Sequence, residues 1–247
     1  MNILAPLMCA ALALGVAACE PVDDGRLETS RDFPRPHRPV SDLGSTQFST
    51  EDARDSVGEA RRVMDFANIV PGMSVADIGA GEGYYTVRLA GRVGEDGRVL
   101  AQDIDREALD RLARRVERER LDNVSIKLGE LDDPKLPENS FDRIFMVHMY
   151  HEIGEPYAFL WRMWPALREG GQVIVVDVDR PADQHGIDPL LMACEFSQVG
   201  FELVTFRDAP ELAGYYAQFQ RAAKRPEPDE IRPCRTTVPD KADNAAR

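Results

Sequence analysis

Positive charges are outnumbered by negative ones in this chain of 247 residues. It has 30 Lys and Arg against 43 Asp and Glu, so the formal net charge is −13. A nucleic-acid surface needs clustered Lys and Arg, and we therefore expect no nucleic-acid partner. The one basic stretch, residues 111–120, alternates with acids and predicts a solvated helix face.

Cysteine is scarce, with 4 in the whole chain. None lies in a CxxC or Cys/His spacing typical of zinc sites, so the sequence predicts no metal centre. Cys194 and Cys234 could pair in an oxidising compartment. The alternative is a buried helix cysteine and a loose cysteine in the tail, and the sequence leaves both interpretations open.

Long apolar runs are missing except at the start, where residues 3–18 are almost wholly apolar. This run is short for a membrane-spanning helix and ends in small residues, as signal peptides do. The stretch Val16-Ala17-Ala18-Cys19 resembles the bacterial lipobox, which implies cleavage after residue 18 and a lipid on Cys19. The alternatives are a plain signal peptide or an uncleaved anchor. We expect a lipid-anchored protein on the periplasmic side of the cell envelope, or a cytoplasmic one if the signal is not functional.

Composition divides the rest of the chain. Residues 19–48 are polar and proline-rich and predict a flexible tether after the signal peptide of residues 1–18. Residues 49–223 carry the periodic apolar pattern of a folded domain. Residues 224–247 are polar again and predict a flexible C-terminal tail.

Strand and helix patterns alternate through the folded domain. Because the inner strands are apolar on both faces, the pattern predicts an α/β fold with a doubly wound, mostly parallel sheet. A first helix is expected within residues 51–67. The predicted strands are 74–78, 99–103, 124–128, 141–149, 173–178, 201–206 and 215–220, and the further helices are 83–92, 106–120, 156–167 and 189–199.

A glycine-rich turn follows the first predicted strand, with the sequence Gly79-Ala80-Gly81-Glu82-Gly83. Parallel sheets bind ligands outside the carboxyl ends of their strands. The GxGxG spacing departs from the GxGxxG of dinucleotide folds, and Glu82 would repel a pyrophosphate. Asp103 ends the next strand, 20 residues past Gly83, where an acid can accept hydrogen bonds from ribose hydroxyls.

These segments, "VADIGAGEGYYT" and "GRVLAQDID" above all, resemble the class I S-adenosylmethionine-dependent methyltransferases over about residues 55–220. The resemblance implies a seven-stranded Rossmann-like sheet and S-adenosyl-L-methionine as cofactor. It implies that Asp103 takes the ribose and that Glu130, where the family more often has aspartate, flanks the adenine. The cofactor-binding residues implied are Asp77, Gly79, Ala80, Gly81, Gly83, Tyr84, Asp103, Ile104, Glu130 and Leu131.

The acceptor side is expected in "VHMYHEI", at the end of the fourth strand, whose "YHEI" part resembles a subgroup with small-molecule acceptors and frequent export signals. His148 and His151 are candidate catalytic bases, and Tyr150 a candidate for orienting the acceptor. His185, in the loop after the fifth strand, opens on the same edge. The alternatives are packing, a cap over the pocket, or a metal held by His148, His151 and Glu152.

The preferred hypothesis is a methyltransferase acting on a small or medium-sized acceptor that the sequence does not identify. A second hypothesis is a non-catalytic exported lipoprotein that keeps the fold as a binding module, since the periplasm has no known supply of methyl donor. A third is a protein-carboxyl methyltransferase of the isoaspartate type, suggested by "PGMSVADIGAGEGYYT".

The lipobox predicts that Cys19→Ser abolishes lipid labelling and leaves the precursor uncut, because the thiol is the acylated atom. Metabolic labelling with palmitate and membrane fractionation measure both effects. A wild-type protein that takes up no palmitate and fractionates with the cytosol would contradict the lipobox.

Overall fold

The computed structural model describes residues 25–43, 50–212 and 214–235. Within them, strands and helices alternate as the sequence predicts. The strands are β1 (Ser74–Ile78), β2 (Arg98–Asp103), β3 (Val124–Leu128), β4 (Phe141–Val147), β5 (Leu167–Asp177), β6 (Phe201–Ala209) and β7 (Gly214–Arg221). The helices are α1 (Glu51–Ser56), α2 (Glu59–Phe66), α3 (Tyr84–Val93), α4 (Arg106–Glu119), α5 (Pro156–Met163) and α6 (Pro189–Gln198).

The seven strands form one sheet in the order β3-β2-β1-β4-β5-β7-β6. Strands β1 to β5 pair in parallel, and β7 pairs antiparallel with both β5 and β6. The middle strands are buried on both faces, because Ile144 packs into one core cluster and its neighbour Phe145 into another on the opposite face. This is the Rossmann-like sheet of class I methyltransferases, and the predicted fold class is confirmed.

Some element boundaries differ from the sequence prediction for local reasons. The first predicted helix divides into α1 and α2 at Gly58, which has a left-handed φ of 63°. Strand β4 ends at Val147 instead of residue 149, because His148 is also left-handed, with φ 54°, and a 3-10 turn follows at Tyr150–Glu152. Residues 148–152 thus form a turn at the edge of the sheet.

The segment 25–43 is packed against the domain, which corrects the prediction of a flexible tether over these residues. Phe33 is buried in the main core, and Arg26 pairs with Glu155. Arg38 forms a buried ion pair with Glu195 of α6, with Nε 3.0 Å from Oε1. A buried aromatic ring and two ion pairs, which composition does not reveal, therefore hold this proline-rich segment in place.

The start of the predicted C-terminal tail is likewise part of the fold. Cys234 forms a disulfide with Cys194 of α6, which confirms the pairing over the loose-tail alternative. The backbone N–H of Cys234 donates to the Tyr157 hydroxyl at 2.7 Å, and Ile231 is buried beside it. Over residues 224–235 the prediction of a flexible tail is therefore corrected.

The predicted signal peptide of residues 1–18 and the lipidation site Cys19 lie outside the described residues, as do residues 20–24, 44–49 and 236–247. Among the residues that are described, no helix has the length and apolar character needed to span a membrane.

Replacing Arg38 by Ala is expected to destabilise the protein by about 3–5 kcal/mol, because it leaves the Glu195 charge buried without its partner. The matched control is Arg92→Ala, which breaks the half-exposed pair with Asp65 and is expected to cost about 1 kcal/mol or less. Urea unfolding of the two variants measures the difference. Equal effects would contradict a structural role for the 25–43 segment.

Candidate functional site

The candidate site lies at the carboxyl ends of β1, β2, β4 and β5. Strand order reverses beside β1, because β2 lies on one side of it and β4 on the other. In doubly wound sheets this reversal opens a crevice in which ligands bind. The glycine-rich turn, the loop after β2 and the 148–152 turn all meet at this edge.

The turn after β1 leaves open space over bare backbone. Gly79 and Gly81 both have left-handed φ, of 68° and 53°. A Cβ on Gly79 would stand 3.0 Å from the Met149 side chain, so the turn touches the 148–152 turn there. A Cβ on Gly81 would meet nothing within 4 Å, so the surface above it is open to a ligand. Ala80 fixes the turn because its N–H donates to the Gln102 carbonyl at 3.0 Å.

Asp103 braces the turn from the end of β2. Its Oδ2 accepts from the Gly81 N–H at 2.8 Å, and its Oδ1 accepts from the Asp105 N–H at 2.9 Å. A carboxylate offers about four acceptor positions, so about one per oxygen remains after these two bonds. Asp103 is only partly buried, so these positions are within reach of a ligand.

Asp77, at the penultimate position of β1, lies beneath the turn. It is 3% exposed, and its Oδ2 accepts from the Thr86 hydroxyl at 2.6 Å. Burial raises the pKa of Asp77 to about 6, although the Thr86 bond lowers it and the nearby Asp103 adds to the rise. Two neighbouring carboxyl groups thus give this edge a negative potential, which favours a cationic ligand.

Tyr84 and Ile104 adjoin the turn without presenting polar atoms to it. The Tyr84 ring lies between the Arg54 and Arg88 guanidinium groups, each 3.8 Å from its centroid, and its hydroxyl donates to Asp55 of α1. Its side chain therefore holds α1 in place rather than pointing toward the turn. Ile104, which follows Asp103, is half-buried.

Glu130 and Leu131 lie in the loop after β3, beside Asp103. The Gly129 N–H donates to the Asp103 carbonyl at 2.9 Å, which joins this loop to the end of β2. Glu130 is exposed and lies 3.2 Å from the Lys135 ammonium group, and Leu131 is 51% exposed. Both side chains stand at the surface, where an added planar ligand would reach them.

His148 is turned toward a buried cluster under α2. Its Nε2 lies 3.6 Å from Oε1 of Glu59, which also accepts from Tyr85 and pairs with Arg54 at 2.6 Å. Burial raises the pKa of Glu59, but His148 and Arg54 outweigh it and lower that pKa to about 2. His148 therefore joins the turn to the α1–α2 region.

Tyr150 does not line the crevice, which corrects the prediction that it orients an acceptor. It is fully buried, and its hydroxyl donates to Glu195 at 2.7 Å, within the Arg38 ion pair. Burial, followed by the Glu195 charge, raises the pKa of Tyr150 well above its usual value. A phenol so placed stabilises the turn and does not exchange protons with a ligand.

His151 pairs with an acid at the end of the neighbouring strand. Its Nδ1 lies 2.9 Å and 3.0 Å from the two carboxylate oxygens of Asp177, the last residue of β5. Both side chains are buried. The His185 ring packs edge-on against His151, with centroids 5.7 Å apart. These residues come together because β4 and β5 are neighbouring parallel strands that end at the same edge of the sheet.

Sequence reasoning missed Glu59 and Glu195, each of which organises one side of the turn. Both lie on helices and look like ordinary surface acids in the sequence. Only the folded structure buries them, at 1% and 0% exposure, against His148 and Tyr150. No sequence signal marked them out.

Comparison with known proteins agrees with this architecture. Residues 75–171 match the family described as "Methyltransferase domain". An arsenite methyltransferase of Halobacterium salinarum is 28% identical over 127 residues, covering 50% of this chain and 32% of that protein. A demethylmenaquinone methyltransferase of Bacillus mycoides is 28% identical over 123 residues, covering 50% of this chain and 51% of that protein.

Among solved structures, a SAM dependent methyltransferase from Aquifex aeolicus superposes with a TM-score of 0.61 at 23% identity. The match covers 68% of this chain and 90% of that one. The chain spans about a third and about half of the two curated relatives it matches, so the likeness concerns the shared domain. Residues 75–171 thus match a methyltransferase domain, and the fold is that of the class I methyltransferases.

Asp77→Asn is expected to change how stability depends on pH. Because the folded pKa of about 6 lies above the unfolded value of 3.8, wild type loses stability as pH rises through this window. The Asn side chain does not titrate, so the variant does not share this loss. Its free energy of unfolding should rise relative to that of wild type by up to about 3 kcal/mol between pH 4 and pH 7, at about 1.4 kcal/mol per pKa unit. Denaturant unfolding at the two pH values measures it, and a stability difference that stays constant would contradict the buried acid.

Proposed function

We propose that the protein is an S-adenosylmethionine-dependent methyltransferase acting on a small or medium-sized acceptor. One observation carries the proposal above the others: Asp103 keeps about two acceptor positions beside the open backbone of Gly81. A ribose with two adjacent hydroxyls matches a carboxylate placed in this way. When bound, the cofactor supplies a methyl group on a positively charged sulfur.

Charge at the turn supports this cofactor over a nucleoside phosphate. Asp77 and Asp103 place two carboxyl groups under and beside the turn, and Glu82 stands exposed at its rim, paired with Arg111 at 2.8 Å. Phosphate groups would be repelled there, whereas an amino group and a sulfonium would be attracted. A bound cation would also lower the pKa of Asp77 and favour its ionised form.

On the acceptor side, we propose that His151 contacts the acceptor, either directly or through a group that binds the acceptor. A carboxylate can only accept a hydrogen bond, so Asp177 favours the neutral imidazole tautomer that has its proton on Nδ1 and its lone pair on Nε2. That buried Nε2 has no hydrogen-bond partner among the residues that the structure describes. Asp177 thus acts as a positioning residue that fixes the tautomer and the ring orientation.

The relatives support methyl transfer without identifying the acceptor. One is named for arsenite and another for demethylmenaquinone, which are unlike in size and chemistry. The family match and these relatives lend no support to the isoaspartate type or to a non-catalytic module. An exported, lipid-anchored location remains a proposal, and the disulfide between Cys194 and Cys234 favours an oxidising compartment.

Asp103→Ala should weaken binding of S-adenosylhomocysteine by at least tenfold, because bonds to a charged group contribute about 1.5–3 kcal/mol each and about 1.4 kcal/mol is one decade. Calorimetric titration of the full-length protein measures the affinity. The matched control is Asp96→Asn, an exposed acid in the turn before β2, where it should leave the affinity unchanged.

Two results would contradict the proposal in different ways. Wild type that binds neither S-adenosylmethionine nor its demethylated product would end the methyltransferase assignment. Tight binding that Asp103→Ala leaves unchanged would keep the cofactor and remove the proposed ribose contact.

A further inference from the structure

Three potential metal ligands meet at the edge of the sheet, a little beyond the glycine-rich turn. His151 and Glu152 belong to the 3-10 turn after β4, and His185 belongs to the loop after β5. One ligand atom from each of the three lies within 4.8 Å of the other two. His151 is buried, and the other two are half-buried, so the cluster is reachable from solvent on one side.

His151 is prepared to donate a lone pair toward this cluster. Its Nδ1 is occupied by both oxygens of Asp177, at 2.9 Å and 3.0 Å, so Nε2 is the nitrogen left for another partner. That Nε2 is buried, and no group in residues 25–43, 50–212 or 214–235 forms a hydrogen bond with it. A histidine whose far nitrogen donates to a carboxylate is the arrangement that orients metal-binding imidazoles.

We propose that His151, Glu152 and His185 bind a divalent transition-metal ion such as Zn²⁺. Two imidazoles and one carboxylate suit such an ion, and three protein ligands leave a coordination position open. Bonds of about 2.0–2.1 Å place ligand atoms about 3.3 Å apart around a tetrahedral ion. The present separations require the side chains to close by about 1.5 Å at most.

The 25–43 segment holds the two loops in register. The Ser41 N–H donates to the His151 carbonyl at 3.3 Å, and the Ser41 hydroxyl accepts from the His185 N–H at 3.2 Å and donates to the Ala182 carbonyl. Arg38 donates to the His151 and Ile153 carbonyls. One segment therefore fixes the backbone of both loops, so less conformational entropy is lost when an ion binds.

This set differs from the one the sequence suggested. The sequence predicted no metal centre, and the metal alternative it left open used His148, three residues before His151, whose Nε2 lies 3.6 Å from the buried Glu59 Oε1, under α2. His185, 34 residues further along the chain, takes that place because parallel β4 and β5 end side by side. The left-handed φ of His185, 56°, is a backbone conformation that few residues other than glycine adopt.

The position of the cluster beside the glycine-rich turn suggests a function for the ion. Met149 touches Gly79, so the cluster and the cofactor turn share one edge. An ion with an open position there would bind an oxygen, nitrogen or sulfur atom of the acceptor and favour its deprotonated form. This part of the inference rests on the proposed function, whereas binding of the ion does not.

Titration of the full-length wild-type protein with Co²⁺ tests the site directly. We expect one Co²⁺ per chain, with visible d–d bands and no thiolate charge-transfer band, because the ligands are nitrogen and oxygen. His185→Ala should weaken binding by at least about 10-fold, and the exposed His37→Ala, the matched control, should not. Glu152→Gln keeps the shape of its side chain and should also weaken binding, so the test survives if His185→Ala fails to fold.

Asp177→Asn tests the positioning of His151. It should lower Co²⁺ affinity by about 10- to 100-fold while keeping the same number of ions per chain. Wild type that binds no Co²⁺, binding that is unchanged in both His185→Ala and Glu152→Gln, or a spectrum with thiolate bands would overturn the metal site. Binding of S-adenosylhomocysteine, measured on the same samples, reports separately on the proposed function.

Discussion

The reversal of strand order beside β1 is the constraint on which the rest of the site depends. Parallel strands end at a common edge, and β2 and β4 lie on opposite sides of β1. The loops that follow these strands therefore meet beside β1, whatever side chains they carry. Asp77, Asp103 and Asp177 stand at or beside the ends of β1, β2 and β5, so the shared edge brings the proposed cofactor-binding and acceptor-side residues together.

A second level of organisation comes from outside the sheet. The 25–43 segment crosses the acceptor side, and the buried Arg38–Glu195 pair fastens it to α6. The same glutamate accepts from Tyr150, and Arg38 donates to the His151 carbonyl, so segment, turn and helix stabilise one another. The disulfide from Cys194, next to Glu195, then joins the chain's C-terminal part to the same helix. The position of His151 thus depends on charges and cross-links that are far apart in sequence.

Local patterns were sufficient to predict the architecture. Apolar runs and glycine breaks placed β1 and β3 at their observed limits, and the spacing from Gly83 to Asp103 placed an acid at the end of β2. The cofactor turn was predictable for the same reason, since its residues lie within one short stretch. The predictions that failed depend on contacts between residues far apart in sequence. They concern the role of Tyr150, the packing of the 25–43 segment and the partners Glu59 and Glu195. Burial and pairing decide those, and a surface acid and a buried one read alike in a sequence.

A crystal structure of the protein with S-adenosylhomocysteine would show whether the cofactor binds at the glycine-rich turn. We expect the nucleoside to lie along the edge between Gly81 and Glu130, with both ribose hydroxyls within hydrogen-bond distance of Asp103. The sulfur should point toward the turn that carries His151. A ligand bound elsewhere on the molecule, or ribose hydroxyls that do not touch Asp103, would contradict it.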